Sequence, residues 1–341
     1  AASSDYPLRD VYKRQAIEGD ALNIGILEPD GFSEEAIRSL HMIGHVSFYR
    51  EGTLESFLCD IDILFIRLRF FIGQSFLEMA SKLSIICTPT TGLNHIDLSE
   101  AMKRGIHVLS LRGKTDFLQN IYATPEHTFG LVIALLRNYK SAFIRDENAV
   151  WNRDLFRGHE IHDNRIGLIG YGRIGKTLSH YFQLFGAHVV VYDINSVSVP
   201  QDVEVVQTIP DLIEKSNIIV LCASYSGDND KMISDPLLRM MKGKYFVNTA
   251  RGELVDEAAL WSLIDQSWFS GVAIDVLADE TNQSLNIGRL VARLSKHNVI
   301  ITPHIGGCTH ESMKKTEIFL VGELVDFMSK NDSTSFHSTD P

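Results

Sequence analysis

At 341 residues, 45% hydrophobic and 22% charged, the chain is long enough for about two domains that each bury a core, with the balance of a soluble globular enzyme. A formal charge of −11 argues against wrapping a polyanion, because nucleic-acid affinity is built largely from phosphate neutralisation by Lys and Arg. Cys59, Cys87, Cys222 and Cys308 lie far apart with no CxxC pair, which fits neither a zinc site nor a disulfide framework, so no metal is expected and a reducing cytoplasm is the natural compartment. No apolar run reaches membrane-spanning length and no charged-then-apolar leader opens the chain, so neither insertion nor export is expected.

In chain order, Asp10-Val-Tyr-Lys-Arg-Gln15 reads as a translated adaptor end from DNA library preparation, so residues 1–15 are expected to be non-native. From 22 to about 109, short apolar runs at 23–27, 45–49, 61–66, 83–87 and 106–109 alternate with amphipathic stretches. Helix starts are signalled at Ser33-Glu-Glu and Thr53-Leu-Glu, where a hydroxyl cap precedes early acids. Strands separated by helices predict a parallel, doubly wound sheet. Thr124-Pro-Glu126 then opens a long apolar helix to about 145, with Thr as cap and Pro in the first turn, read as a hinge or interface helix. A second alternating set follows at 166–169, 189–192, 218–221, 245–248, 271–275 and 299–302. A helix over about 309–330 is expected to cross back to the first domain, and 331–341 is expected to be a polar, disordered tail.

The most informative segment is Arg165-Ile-Gly-Leu-Ile-Gly170-Tyr-Gly172-Arg-Ile-Gly175, a strand running into a glycine turn and then a helix. Gly170 permits the tight bend, Gly172 lets backbone approach a pyrophosphate, and Gly175 lets helix and sheet pack closely. The helix N-terminus then faces the phosphates. Seventeen residues, 176 to 192, precede Asp193 at the tip of the next strand, where a carboxylate meets the ribose hydroxyls and repels a 2′-phosphate. Ile194, Asn195 and Ser196 follow without an Arg, so NAD is expected over NADP.

Three polar groups leave the later strands at the edge where doubly wound sheets bind ligands: Arg251 after 245–248, Glu280 beyond 271–275, and His304 in Ile301-Thr-Pro-His-Ile-Gly-Gly307. Hydride transfer to a 2-oxo acid needs a carboxylate clamp, a proton donor for the carbonyl oxygen, and a group that keeps that donor charged. Arg251 can grip a carboxylate bidentately, and His304 and Glu280 suit the other two roles. Cys222 and Cys308, near the cofactor and catalytic edges, read as small buried fillers.

These motifs, together with Asn248-Thr-Ala-Arg251-Gly running to Val255-Asp256 and the spacing of Asp275 to Glu280, resemble the D-isomer-specific 2-hydroxyacid dehydrogenase family, which includes the phosphoglycerate dehydrogenases. The resemblance covers about 22–330. It implies two doubly wound parallel-sheet α/β domains, a Rossmann NAD-binding domain (123–304) inserted in a flavodoxin-like substrate domain (20–122 and 305–330). It implies that Arg251 binds the substrate carboxylate and polarises the carbonyl, that His304 is the acid/base, and that Glu280 hydrogen-bonds the imidazole. Asp275 would hold the nicotinamide carboxamide, with Gly170, Gly172, Arg173, Ile174, Gly175, Asp193, Cys222, Ala250 and Gly307 completing the cofactor set. Substrate contacts would come from Arg67, Leu68, Gly92 and Asn94, and the family pairs as a homodimer through its cofactor domain.

Two passages depart from the family pattern. Where the family reads Val-Arg-Ser-x-Thr, this chain has Ile66-Arg67-Leu68-Arg69-Phe70-Phe71, a bulkier wall with a second cation. The segment 113–126 is longer than the family's Pro-Gly-x-Asn passage, and Arg112, Lys114 and Asp116 have no family role. The expected activity is NAD-dependent interconversion of a D-2-hydroxy acid and its 2-oxo acid, with substrate in an interdomain cleft and no nucleic-acid or membrane partner. The alternative is an NAD(H)-sensing, corepressor-like binding protein on the same fold, against which the complete Arg251, Glu280 and His304 set weighs.

Overall fold

Alternation of short apolar strands with helices produces two parallel sheets in the computed structural model, which describes residues 22–50, 52–143, 151–278, 280 and 287–334. The expectations placed on 1–15 and on 335–341 lie outside the described residues. The chain divides into one unit of 1–120 with 310–341 and a second of 121–309.

In the first unit, β1 (Asn23–Ile26), β2 (His45–Phe48), β3 (Ile63–Phe65), β4 (Ile85–Thr88) and β5 (His107–Ser110) form a sheet in the order β2-β1-β3-β4-β5. Every pairing is parallel, and this is the flavodoxin-like strand order. Alternate residues serve opposite faces: Ile24, Ile26, Ile63 and Phe65 pack under Leu320, Val321 and Leu324, whereas Leu27, Leu64, Ile66 and Ile86 face Leu77, Ile96 and Ala101. The final helix, His310–Thr334, thus supplies one cover of this sheet and runs past the expected end at 330.

The second unit holds β6 (Arg165–Ile169), β7 (His188–Tyr192), β8 (Val203–Val205), β9 (Ile218–Leu221), β10 (Tyr245–Asn248), β11 (Gly271–Ile274) and β12 (Val299–Ile301). Their order is β12-β11-β10-β9-β6-β7-β8, all parallel, reversing direction at the β6/β9 pair. Ile166, Leu168, Val189, Val191, Ile218 and Val220 fill one face, and Ile169, Val190, Ile219, Leu221 and Phe246 fill the other. At such a switch point the loops part and leave room for a ligand.

Three local expectations change. The sequence reading has six strands here, and β8 is the seventh; three residues, with Glu204 half-buried between two valines, are too short for a pattern to stand out. The long helix expected over 124–145 spans Ala123–Leu136, then breaks where Asn138 turns left-handed (φ 52°) before Tyr139–Phe143 resumes. Its N-cap is Tyr122, not Thr124, and Thr53 likewise gives its helix no side-chain cap, its hydroxyl being turned back to donate to the Arg50 carbonyl. Ser33 does cap, accepting from the Ala36 amide.

Candidate active site

The glycine turn is built as a cradle. Gly170 has φ +98°, and a Cβ there would fall 2.7 Å from the Ala223 backbone nitrogen. A Cβ on Gly175 would lie 2.2 Å from the Gly170 carbonyl oxygen, so the helix Arg173–Leu184 seats against the turn only with glycine at that point. Gly172 differs: its φ of −76° suits any residue, and a Cβ would meet nothing within 4 Å. Nothing in the protein itself requires glycine there, which fits a position approached by a phosphate at a helix N-terminus. Arg173 donates to the Ile121 carbonyl, and Ile174 packs against the core.

Asp193, at the tip of β7, accepts from the Tyr171 amide at 2.8 Å and from the Asn195 amide at 2.9 Å. The carboxylate thereby locks the second strand's tip to the glycine turn. Cys222 follows β9 and is half-buried, its thiol pushed up to about 12 by burial, while Cys308 is exposed, so the expectation of two buried fillers fails for Cys308. Gly307 is exposed with open space around it, whereas its neighbour Gly306 carries the tight contact: a Cβ there would lie 2.9 Å from an Asp275 carboxylate oxygen.

The last strand's loop is wrapped around Asp275, which is 2% exposed. Its carboxylate accepts from the Thr302 hydroxyl (2.6 Å), the Ile305 amide (2.9 Å) and the Gly306 amide (2.8 Å), and its backbone carbonyl accepts from the His304 amide (2.8 Å). Burial alone would raise this carboxyl, but bonds from His127, Thr302, Ile305 and Gly306 outweigh it and hold the group below its ordinary value. His304 itself adopts φ 53°, left-handed for a side-chain-bearing residue at a cost of about 1–2 kcal/mol, and this web of bonds sustains it.

His304 Nδ1 lies 2.6 Å from Glu280 Oε1, with both side chains partly exposed. With Nδ1 so engaged, Nε2 is the atom left to meet a reactant. Asp279, the neighbouring acid, lies outside the described residues. Arg251 follows β10, with Nη1 donating to the Ala250 carbonyl at 2.7 Å and its own carbonyl accepting from Asn248. Arg251 is half-buried; burial pulls its guanidinium below the ordinary value, opposed by the charges of Glu280 and Glu253, so a partly desolvated cation sits near the imidazole's carboxylate. Arg251, Glu280 and His304 are brought together; an oxyanion or carboxylate meeting them would find a cation and a proton donor.

In the first unit, Arg67 follows β3 with its guanidinium engaged by Glu317 and the Asp30 carbonyl and stacked on Phe32. The buried Glu28 carboxylate accepts from the Arg67 and Arg69 amides at 3.0 and 3.3 Å, fixing that loop from beneath. Burial pushes the Glu28 carboxyl up despite these bonds. Leu68 is half-buried, Phe71 is exposed, and Gly92 and the exposed Asn94 stand on the turn after β4. In the longer segment, Phe117 stacks on Phe319 with centroids 3.9 Å apart and Lys114 pairs with Glu323, so this passage ties to the last helix. His127 and Thr128 bond to Thr302 and Thr249 in the loops that carry His304 and Arg251, and none of the four was given a role from the sequence; the one available signal was polar Thr124, His127 and Thr128 opening an otherwise apolar helix.

Among the described residues there is no cluster of potential metal ligands and no helix long and apolar enough to cross a membrane. The family model described as "D-isomer specific 2-hydroxyacid dehydrogenase, NAD binding domain" matches residues 129–306. The chain is 28% identical over 312 residues to D-3-phosphoglycerate dehydrogenase of Haemophilus influenzae, covering 89% of this chain and 74% of that one. It is 29% identical over 288 residues to glyoxylate reductase of Pyrococcus furiosus, covering 82% of each. A D-lactate dehydrogenase of Aquifex aeolicus, solved with NAD and lactic acid, shares the fold at TM-score 0.73 and 24% identity over 92% of this chain and 97% of that one. The chain therefore belongs to the D-isomer specific 2-hydroxyacid dehydrogenases, and NAD is its cofactor.

Proposed function

We propose that the chain reduces a 2-oxo acid to the D-2-hydroxy acid, and catalyses the reverse, with His304 as acid/base, Glu280 as its partner and Arg251 as the carboxylate clamp. The 2.6 Å contact of His304 with Glu280, near the half-buried Arg251, carries this reading. NADH, held by the glycine turn and the residues named below, would supply the hydride that the carbonyl carbon accepts. In the reductive direction His304 gives a proton from Nε2 to the carbonyl oxygen; in oxidation it takes that proton back. Glu280 orients the ring through Nδ1, and Arg251 neutralises the substrate carboxylate while drawing electron density from the carbonyl.

Gly170, Gly172, Arg173, Ile174 and Gly175 are the proposed pyrophosphate turn, Asp193 the ribose partner that favours NAD over NADP, and Cys222, Ala250, Asp275 and Gly307 the remaining cofactor contacts. Arg67, Leu68, Gly92 and Asn94 are the proposed substrate-side residues. The relatives' names point to small substrates between glyoxylate and a phosphorylated three-carbon 2-oxo acid. Homodimer formation through the cofactor unit is supported by its exposed Phe143, Trp151 (90% exposed), Leu155, Leu184 and Phe185. The cytoplasm is the proposed compartment.

The test is NADH oxidation against 2-oxo acids from glyoxylate through phosphohydroxypyruvate to bulky aromatic ones, with His304→Gln as control. Turnover in the parent, reduced in the control by about two to four orders of magnitude with NADH binding retained, is expected. Equal activity in the control would sink the acid/base assignment. NADH binding with no turnover across the panel would turn the reading toward a sensor.

A further inference from the structure

The helix Ala123–Leu136 is hydrogen-bonded to both catalytic loops, and we propose that His127 and Thr128 are positioning residues that hold His304 and Arg251 in register with each other. The inference rests on the dehydrogenase reading above. Thr128 is fully buried, and its hydroxyl lies 2.7 Å from both the Thr124 carbonyl and the hydroxyl of Thr249, two residues before Arg251. A hydroxyl has one proton; with Thr128's directed to Thr124, Thr249 donates to Thr128. One residue earlier, His127 Nε2 stands 3.3 Å from both Thr302 Oγ1 and Asp275 Oδ1. Thr302 already donates to Asp275 at 2.6 Å, so its oxygen can only accept, and His127 must carry its proton on Nε2.

One turn of helix thus anchors the Arg251 loop through Thr249 and the His304 loop through Thr302 and Asp275. Gly306 lets the second loop close down: a Cβ there would stand 2.9 Å from Asp275 Oδ2 and 3.7 Å from His127 Cδ2. The following residues Leu131, Val132, Leu135 and Leu136 are buried and apolar, so the helix needs no polar groups to pack on this sheet. Buried hydroxyls such as those of Thr128 and Thr249 are costly unless bonded, and every bond named, those of the half-buried His127 included, goes to a catalytic loop or to the helix's own backbone. What the arrangement fixes is the spacing of a proton donor from a carboxylate clamp, where about 1 Å of misplacement can cost a hundred-fold in rate.

The test uses the full chain and four variants: Thr128→Val and His127→Phe remove the bonds, while Thr128→Ser and His127→Gln keep a donor or acceptor in place. Measured are kcat, the KM for NADH, and the ¹⁵N and ¹H imidazole resonances of His304. The expected result is a kcat about ten- to a hundred-fold lower in the Val and Phe variants, with the NADH KM within about two-fold and the His304 resonances shifted. The Ser and Gln variants should recover most of the rate. Unchanged kcat in the first pair, or equal loss in the second pair, would overturn the proposal by reducing both residues to packing. Should the parent turn over no 2-oxo acid, the dehydrogenase reading fails on its own, and the His304 resonances alone judge the clamp: unshifted in His127→Phe, it is wrong.

Discussion

Replacing Gly172 and Gly175 by alanine separates a glycine kept for a ligand from one kept for the fold. At Gly172 the backbone (φ −76°, ψ −156°) is open to alanine and the added methyl meets nothing within 4 Å. Gly172→Ala should therefore leave the fold intact and, by restricting the unfolded chain, stabilise it by about 0.4–1 kcal/mol. For a unit of this size that raises Tm by about 1–4 °C. NADH affinity should fall at least about ten-fold, or 1.4 kcal/mol, because the methyl occupies the approach of the pyrophosphate. Gly175→Ala is the converse. Its methyl would lie 2.2 Å from the Gly170 carbonyl oxygen, a backbone atom that cannot rotate away, so helix and turn must separate. A clash this short against backbone belongs in the upper part of the overpacking range of about 1–3 kcal/mol, above the gain of about 1 kcal/mol in helix propensity, and Tm should drop by several degrees. Thermal melting by circular dichroism and titration of NADH fluorescence read the two quantities independently. Wild-type NADH affinity in Gly172→Ala would refute the cradle, and an unshifted melting point in Gly175→Ala would refute the packing argument.

Asp193→Ala should narrow the preference for NADH over NADPH in parallel kcat/KM measurements, since the repelling carboxylate is gone; an unchanged ratio would place ribose recognition elsewhere. Arg251→Gln should raise the KM for the 2-oxo acid and lower kcat while NADH binding holds, so a variant with parental kinetics would remove Arg251 from the site. For Asp275, whose folded carboxyl is held below the ordinary range, the unfolded chain binds the extra proton: its stabilisation is complete above the unfolded value of 3.8 and is lost as pH falls through the folded one. Asp275→Asn should cost about 1–3 kcal/mol at pH 7 for a buried amide left without its acceptor, with the gap to the parent closing below about pH 4 in urea melts; a gap constant to pH 3 would exclude a charge origin.

Much of this was legible because the informative features are local. The glycine turn, the strand before it and the acid after it lie within one βαβ stretch, where Gly170 answers to its left-handed backbone and Gly175 to the close approach of the turn. Apolar runs set off by helices are visible in sequence whether a strand is fully buried, as β3, β4, β9 and β11 are, or partly exposed, as β2 and β5 are, so eleven of the twelve strands among the described residues emerged from pattern; β8, short and interrupted by Glu204, did not. Thr53 and Thr124 mislead for a shared reason. Thr53 turns its hydroxyl to a backbone carbonyl and Thr124 lies inside the helix itself, and which outcome prevails depends on packing.

The contacts that organise the site have no such signature, because their partners are far apart in sequence. Thr128 meets Thr249 across 121 residues, and His127 meets Thr302 across 175. No window holds both ends, and neither residue type marks its position as special. Arg67 makes the same point from the other unit: a loop cation facing a pocket and one locked to a buried acid look alike in sequence, and only Glu317, 250 residues on, distinguishes them. With that guanidinium engaged by Glu317 and Asp30, and the Arg67 and Arg69 amides held by Glu28, the groups that this loop still presents are its side chains, above all Leu68 and the exposed Arg69 and Phe71. Selectivity among 2-oxo acids is therefore expected to respond more to substitutions at Leu68, Arg69 and Phe71 than at Arg67, whose loss should register first as lowered stability through the buried Glu317 charge left behind.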